Sequence, residues 1–318
     1  MKSPRHIPIL FGLFFTVFCL SVPAVATAEE QEAQQAVLVT GASSGIGRNI
    51  AEKLAANGYF VYAGARKDKD LAALDAIENI KAVRLDVTVQ DQIDAAVELV
   101  RSEGRGLYGV VNNAGVGYSN TFEDTDASDI DFVFGVNVYG PFLVNKAFMP
   151  LLIESKGRTT TIGSIAGFLS GRQFGIYSMS KFAVEAYTEA LAAEVAEAGV
   201  QVSVVEPGSY KSRIRETGVF RNLRKTADEP LSDDEKAQLD EARERNESLK
   251  EPDEVSDAVM HALFAPEPRL RYMVTPNKEQ ADITVRMAMR RAIQLNSDQP
   301  YSYDRDELAA MLDELLAE

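Results

Sequence analysis

Short apolar runs alternate with longer amphipathic stretches along the chain from Ala36 onward. The runs are rich in valine, isoleucine, tyrosine and threonine, which is typical of buried β-strands. They cover residues 36–40, 59–63, 82–86, 108–112, 159–163, 200–206 and 272–275. Helical stretches lie between them, for example 47–57, 91–103 and 177–198. Strands that alternate with helices predict βαβ units and right-handed crossovers, and therefore a doubly wound, Rossmann-type α/β fold with a parallel sheet.

Residues 209–257 interrupt this alternation within a predicted domain of residues 35–275. The segment follows a strand and contains a highly charged run, Asp228–Lys250. A solvated surface helix explains the charges. Because ligands of such sheets bind beyond the carboxyl ends of strands, a helical lid inserted at this point is the functional alternative.

A helical C-terminal extension is predicted for residues 276–318. Its apolar residues recur at helical spacing and form one stripe. They are Leu308, Met311, Leu312, Leu315 and Leu316. We expect this stripe to pack on its own domain, as most do, and a contact between subunits of a homo-oligomer is the alternative.

The first 28 residues have the features of an export signal. Lys2 and Arg5 precede an uncharged apolar run, and Ala26-Thr27-Ala28 supplies the small residues that a signal peptidase reads. An uncleaved membrane anchor is the alternative, because the uncharged stretch is long enough to span a bilayer. In both cases the flanking charges predict that the main domain lies outside the cytoplasm, in the periplasm or an equivalent compartment.

The composition of the chain argues against several kinds of partner and site. The chain of 318 residues has a formal net charge of −15, which argues against nucleic acid and anionic lipid as electrostatic partners. The single cysteine is Cys19, and the only histidines are His6 and His261. We therefore expect no metal site and no Ser-His-Asp hydrolase site.

A glycine-rich turn ends the first predicted strand and begins a helix. Glycine permits a tight turn and close approach of the backbone to a phosphate, and the amides at a helix start favour a pyrophosphate. The spacing Gly-x3-Gly-x-Gly differs from the G-x-G-x-x-G fingerprint, and the turn lacks the lysine of a P-loop. The predicted nucleotide contacts are Gly41, Ser43, Ser44, Gly45, Ile46 and Gly47.

Tyr177 and Lys181 are candidates for acid–base chemistry, because residues four apart lie on one face of a helix. A nearby ammonium favours the phenolate and lowers the pKa of tyrosine, which makes the side chain a usable acid or base. Ser164 follows a predicted strand, where its hydroxyl could hold a substrate oxygen. Asn137 lies in an apparently helical segment and could hold a proton-relay water or serve in packing.

These motifs together resemble the short-chain dehydrogenase/reductase family over about Gln35–Val274. They occur in the order and at the spacings of that family. The matching elements are Thr40-Gly41-x3-Gly45-Ile46-Gly47, Asp86-Val87, Asn112-Asn113-Ala114-Gly115, Asn137, Ser164, Tyr177-x3-Lys181 and Pro207-Gly208.

The resemblance implies an oxidoreductase that transfers a hydride between a nicotinamide cofactor and a small-molecule carbonyl or secondary alcohol. Tyr177 would be the acid or base, and Lys181 would lower its pKa and hold the nicotinamide ribose. Ser164 would position the substrate oxygen, and Asn137 would order the relay water. The implied cofactor contacts are Asp86 and Val87 at the adenine, Asn113, Ala114 and Gly115 along the cofactor, Pro207 and Gly208 beside the nicotinamide, and Ser212 at the carboxamide, where the family usually has threonine.

The end of the second predicted strand indicates which cofactor is used. A carboxylate at this position accepts hydrogen bonds from the 2′-hydroxyl of NAD(H) and repels a 2′-phosphate. Here the strand continues into Ala65-Arg66-Lys67, and the first carboxylate is Asp68. Arg66 can form a bidentate contact with a phosphate, so the sequence predicts NADP(H).

Three other functions are alternatives to hydride transfer. Ser178-x2-Lys181 matches the S-x-x-K motif of serine acyl-transfer enzymes, but no S-D-N or K-T-G follows it. A non-catalytic NADP(H) sensor would not need the catalytic residues, and epimerases or dehydratases of related fold normally have a different glycine spacing.

The sequence does not indicate the substrate, whose determinants are expected in 167–176 and 209–257. If the compartment is an endoplasmic reticulum lumen, Asn246-Glu247-Ser248 is a potential glycosylation site.

Overall fold

The computed structural model describes Met1, residues 34–223 and residues 230–317. By internal contacts the chain divides into Met1–Ala33 and Gln34–Glu318, and the sheet belongs to the second unit. Its seven strands are all parallel and lie in the order β3-β2-β1-β4-β5-β6-β7. They are β1 (Ala36–Val39), β2 (Phe60–Ala65), β3 (Ile80–Arg84), β4 (Gly109–Asn112), β5 (Arg158–Ile162), β6 (Gln201–Pro207) and β7 (Arg271–Val274). The doubly wound, Rossmann-type sheet predicted from the sequence is confirmed.

Helices cover both faces of the sheet. They are α1 (Gly45–Ala56), α2 (Asp68–Asp75), α3 (Gln90–Ser102), α4 (Ala127–Phe134), α5 (Gly140–Ser155), α6 (Gly175–Val195), α7 (Ile214–Leu223), α8 (Asp233–Glu247), α9 (Asp253–Phe264), α10 (Lys278–Asn296) and α11 (Arg305–Ala317). α1 and α9 pack on one face, and α3, α5 and α6 pack on the other.

Two hydrophobic cores result, one on each side of the sheet. Successive side chains of a strand point to opposite faces, so Leu38 of β1 lies in one core and Val37 and Val39 lie in the other. Because both faces are covered, all four residues of β1 are buried. This explains why the strand has a continuous apolar run rather than an alternating pattern.

The apparently helical segment around Asn137 is not one regular helix but part of a longer stretch, Ala127–Ser155. Between α4 and α5 the chain forms a π-helical turn, Gly135–Tyr139. By length and composition alone this stretch could cross a membrane. However, half of its most apolar 18-residue segment is buried inside the fold, as in the core helix of a globular domain. The π-helical turn places Asn137 at the centre of an irregular segment, and such segments occur often at functional sites.

The charged segment after β6 contains two helices, α7 and α8. Their inner residues contribute to the wall of a large cavity that is described below. The last five residues of the predicted insertion, 253–257, belong instead to α9. Val255 of that helix is fully buried in the core beneath the sheet.

The C-terminal extension consists of α10 and α11. In the first half of α10, Thr284 is buried, and Gln280 accepts a hydrogen bond from the Ser209 amide, two residues after the end of β6. In contrast, no residue of α11 is buried. Met311, Leu312, Leu315 and Leu316 are exposed, so the expectation that this stripe packs on its own domain is wrong. The helical period indicates which side is apolar, but not what covers it.

Candidate active site

The glycine-rich turn leads from β1 directly into α1. Gly41 has a φ of +66° and Gly45 has a φ of +56°, conformations that side-chain-bearing residues rarely adopt. The Thr40 hydroxyl accepts hydrogen bonds from the backbone N–H groups of Asn113 and Ala114, both at 3.0 Å. These bonds join the turn to the end of β4.

Asn113 fixes the shape of this turn from the opposite side. Its Nδ2 donates to the carbonyl oxygens of Thr40, at 2.9 Å, and Gly41, at 3.2 Å. The same amide packs against Gly47, where a Cβ would overlap it and would lie 2.5 Å from the Gly41 oxygen. Gly47 is therefore required for close helix–strand contact rather than for an unusual backbone conformation.

The start of α1 is suited to bind an anion. The side chain of its N-cap, Ser44, makes no capping hydrogen bond, and the first turn contains no acidic residue. First-turn N–H groups lack partners within a helix, and the helix dipole adds positive potential there. These amides lie beside a cavity lined by the turn, which is the arrangement that favours a phosphate.

A cavity of about 300 Å³ is lined by residues at and beyond the carboxyl ends of several strands. All the residues predicted to contact the cofactor line it, among them Gly41 in the glycine-rich turn and Pro207, Gly208 and Ser212 at and after the end of β6. Tyr177, Lys181 and Ser164 border it as well. The lining therefore brings the glycine-rich turn, which is suited to bind a phosphate, into the same cavity as Tyr177 and Lys181.

Arg66 is the first residue after β2 and lines the same cavity. Its side chain is 63% exposed, and its Nη1 lies 3.4 Å from a carboxylate oxygen of Asp86. Burial alone would raise the pKa of Asp86, but hydrogen bonds from Thr88 and the charge of Arg66 hold this pKa below its usual value. Asp86 is therefore a carboxylate and partly neutralises Arg66. The sequence did not indicate this pair, whose members are separated by a strand and a helix.

The predicted catalytic residues meet where β5 ends and α6 begins. Ser164 is the second residue after β5, and its Oγ accepts a hydrogen bond of 3.1 Å from the Ala166 amide. Lys181 is 5% exposed, and its Nζ donates to the Ile162 carbonyl oxygen at 2.9 Å. Its Nζ lies 5.8 Å from the centre of the Tyr177 ring.

The ionisation of the pair differs from the sequence-based expectation. Burial lowers the pKa of Lys181 to about 8, although the Glu185 carboxylate opposes the change. Burial raises the pKa of Tyr177 above its usual value, and a hydrogen bond with Ser164 and the charge of Arg215 only reduce that rise. The expected lowering of the Tyr177 pKa is therefore wrong for this arrangement, because desolvation of the phenolate outweighs the nearby charges.

Asn137 links the π-helical turn to two neighbouring elements. Its Nδ2 donates to the Val116 carbonyl oxygen and to Ser180 Oγ, both at 3.0 Å, and its Oδ1 accepts from the Val116 amide at 2.8 Å. Ser180 Oγ in turn donates to the Tyr177 carbonyl oxygen at 2.7 Å. The Asn137 side chain thus positions the helix that carries Tyr177. That it also orders a relay water remains a prediction.

The segment after β6 is held by Gln280 and Asn246, and no motif indicated this role for either residue. The Ser209 amide donates to Gln280 Oε1 of α10, and the Ser212 amide donates to Asn246 Oδ1 of α8, each at 2.8 Å. Asn246 is 8% exposed, so this potential glycosylation site is not accessible in the folded chain. These contacts cross 71 and 34 residues of sequence, which explains why local patterns could not reveal them.

A second cavity, of about 820 Å³, adjoins the first. Ser164, Tyr177, Pro207 and Gly208 line both cavities. The rest of its wall is mainly apolar and comes from residues 117–119 after β4, from the loop before α6, and from α7 and α8. A molecule in this cavity could reach the Ser164 and Tyr177 hydroxyls beside a cofactor. No group of three or more residues suited to bind a metal ion occurs among the described residues.

Comparisons with a family profile and with individual proteins identify the same family. The family profile described as short chain dehydrogenase matches residues 35–219. Mitochondrial D-beta-hydroxybutyrate dehydrogenase of Bos taurus is 33% identical over 261 residues, which cover 75% of this chain and 76% of that protein. The uncharacterized oxidoreductase YbbO of Escherichia coli K12 is 31% identical over 245 residues, covering 76% of this chain and 86% of YbbO.

Solved structures agree with these relatives. A short-chain dehydrogenase from Streptomyces avermitilis has a TM-score of 0.68 and 30% identity, covering 83% of this chain and 96% of that one. A short-chain dehydrogenase/reductase from Burkholderia phymatum in complex with NAD has a TM-score of 0.71 and 25% identity, with coverage of 85% and 98%. A metagenomic short-chain oxidoreductase in complex with NADP has a TM-score of 0.59 and 26% identity, with coverage of 76% and 97%.

Proposed function

The chain belongs to the short-chain dehydrogenase family, and from this premise we propose that it transfers a hydride between NADP(H) and a carbonyl or secondary alcohol of a small molecule. The observation that carries the proposal is that Ser164 and Tyr177 lie where the two cavities meet. A substrate in the larger cavity and a dinucleotide in the smaller one would both touch these hydroxyl groups.

The proposed mechanism follows from the positions of four side chains. A bound nicotinamide cofactor supplies or accepts the hydride. The Ser164 hydroxyl holds the substrate oxygen, and the Tyr177 hydroxyl donates a proton to it in reduction or removes one in oxidation. Lys181, held by the Ile162 carbonyl, would favour the phenolate when charged and would hold the ribose of a bound cofactor. Asn137 keeps α6 in position through Ser180.

The preference for NADP(H) rests on Arg66. The side chain is exposed at the end of β2, and β2 itself ends in Ala65, so no carboxylate occupies the position that would receive a ribose hydroxyl. The ion pair with Asp86 keeps the guanidinium beside the cavity. A 2′-phosphate there would gain a charge-assisted, bidentate contact.

Titration of the purified protein with NADPH and NADH tests this preference. We expect tighter binding of NADPH by at least about tenfold, the effect of one charge-assisted contact. Ala65→Asp combined with Arg66→Ala should reverse the order. Arg101→Ala, which removes an exposed cation from α3, should leave both dissociation constants unchanged. Equal affinity of the wild-type protein for both cofactors would contradict the assignment.

The serine acyl-transfer alternative gains no support from the geometry. Ser178 is 2% exposed, and the Nζ of Lys181 is bonded to a backbone carbonyl oxygen. A nucleophilic serine needs an adjacent base that can take its proton. Family membership together with the two adjoining cavities favours hydride transfer.

A further inference from the structure

Arg215 is a cation on the wall of the larger cavity. It is the second residue of α7 and lines this cavity together with Ser164 and Tyr177. Its Nη2 lies 3.4 Å from Ser209 Oγ, just beyond the Pro207-Gly208 segment. Among the described residues it forms no ion pair, although the chain as a whole carries a formal charge of −15.

Other arginines near this cavity are neutralised. Arg213 lines the smaller cavity and pairs with Glu216 at 3.1 Å. Arg245 lines the larger cavity but pairs with Glu241 at 2.6 Å, which lines it as well. Among the described residues that line the larger cavity, the charged groups are therefore one ion pair and Arg215, beside the phenols of Tyr118 and Tyr177. The described wall has a net charge of +1, which complements a monoanion better than a dianion or a neutral molecule.

Arg215 lies near enough to Tyr177 for its charge to act on the phenol. Its charge opposes the rise that burial causes in the pKa of Tyr177, so the guanidinium acts on the phenol across the cavity. Ile165, Leu169, Phe174 and Val219 supply apolar surface to the same wall. A volume of about 820 Å³ is within the range of sites for medium-sized organic ligands. An apolar body and one anionic end would both find complementary surface here.

We propose that the substrate is an oxo acid or the corresponding hydroxy acid, whose carboxylate binds Arg215 while its carbonyl or alcohol oxygen lies at Ser164 and Tyr177. Arginine matches a carboxylate through two parallel N–H groups, which fixes orientation as well as affinity. This inference rests on the proposed function, because it specifies the substrate class of the same site.

Steady-state kinetics with matched substrates test the inference. Oxo acids with two to six carbons between carbonyl and carboxylate, their methyl esters and neutral ketones of similar length would be reduced with saturating NADPH. We expect kcat/KM of the wild-type protein to favour an acid over its ester. Arg215→Met should lower kcat/KM for the acid by about 10- to 100-fold, the effect of losing a charge-assisted hydrogen bond, and leave the ester nearly unchanged. Arg215→Lys should restore part of the difference.

Arg243→Met is the matched control, because Arg243 is an exposed arginine on α8 that pairs with Asp240 and Glu216 and does not line the cavity. This variant should keep the wild-type ratio of acid to ester. The inference is overturned if the wild-type protein reduces esters or ketones as well as acids, or if Arg215→Met lowers both equally. In those cases the proposed oxidoreductase function stands. If no substrate of any type is reduced, both fail.

Discussion

At the scale of single residues, the most unusual charges lie just behind the site. Glu206 precedes Pro207 at the end of β6 and is 1% exposed. Arg271 of β7 binds it with Nε at 2.7 Å and binds Glu185 of α6 with Nη2 at 2.9 Å. Glu185 lies one helical turn beyond Lys181, and its carboxyl packs against Gly163 and Gly167, which flank Ser164. The cluster therefore joins the elements that carry the catalytic candidates.

Burial and the charge of Glu185 raise the pKa of Glu206 to about 8, despite the attraction of Arg271. A carboxyl whose pKa is higher in the folded than in the unfolded chain contributes stability that is fully present below the unfolded value, 4.5. This stability is lost as the pH rises toward 8, because the folded state must then hold a second buried negative charge.

Glu206→Gln should reduce this pH dependence, because glutamine cannot ionise and can still accept a hydrogen bond from Arg271. We expect the melting temperature of the wild-type protein to fall more than that of the variant between pH 6 and pH 9, by a few degrees. Glu189→Gln is the control, since Glu189 also binds Arg271 but is largely exposed. Parallel pH profiles for wild-type and Glu206→Gln proteins would refute the assignment.

At the scale of secondary structure, the seven strands could be predicted because strands buried on both faces are continuous apolar runs bounded by turns. Each observed strand lies within two residues of its predicted position. The glycine turn could be predicted because glycine is needed where φ is positive. The π-helical turn around Asn137 could not, since its five residues lie between two helices and carry no motif of their own.

For the candidate site as well, the sequence predicted some residues and missed others. Motifs indicated Ser164, Tyr177 and Lys181, which the structure brings to one cavity. Ser180 and Gln280 were missed because an isolated serine or glutamine has no local signature, and their roles depend on distant partners. The raised pKa of Tyr177 was missed because burial is a property of the packed molecule.

Gly47→Ala tests the role assigned to the glycine turn. A Cβ at Gly47 would overlap the Asn113 amide, and either the turn or the end of β4 must shift. We expect NADPH affinity to fall by at least about tenfold, because misplaced amides lose charge-assisted hydrogen bonds to phosphate.

Gly135→Ala serves as the matched control for that substitution. A Cβ at Gly135 meets no atom within 4 Å, and its backbone is helical, so alanine should be tolerated. NADPH titrations of both variants, with circular dichroism to verify folding, provide the measurement. Wild-type affinity in Gly47→Ala would mean that the turn does not depend on the contact with Asn113.

At the scale of the whole molecule, the ends of the chain are the parts least explained by the dehydrogenase fold. The exposed apolar residues of α11 leave a subunit contact as the open alternative for this helix. The predicted signal peptide or anchor, residues 1–28, lies outside the described residues apart from Met1. We propose from its sequence alone that the protein is exported or anchored at a membrane.

The N-terminus of protein recovered from its native host tests this proposal. Cleavage after Ala28 should give a mature chain that begins near Glu29. Loss of Lys2 and Arg5 leaves 31 basic against 48 acidic residues, so the formal charge becomes −17. N-terminal sequencing or intact mass checks the prediction. A chain that retains Met1–Ala28 in a membrane fraction would support an anchor, and the same chain in the cytosol would refute export.

The central claim is that Tyr177 is the acid or base of a hydride transfer, and turnover by Tyr177→Phe tests it most directly. With a carbonyl that the wild-type protein reduces, NADPH consumption by the variant should fall by about 10²- to 10⁴-fold, the usual contribution of general acid–base catalysis. NADPH affinity should remain nearly unchanged because only one hydroxyl is lost. Tyr139→Phe, which alters an exposed tyrosine, should retain full activity. Near wild-type turnover by Tyr177→Phe would contradict the account.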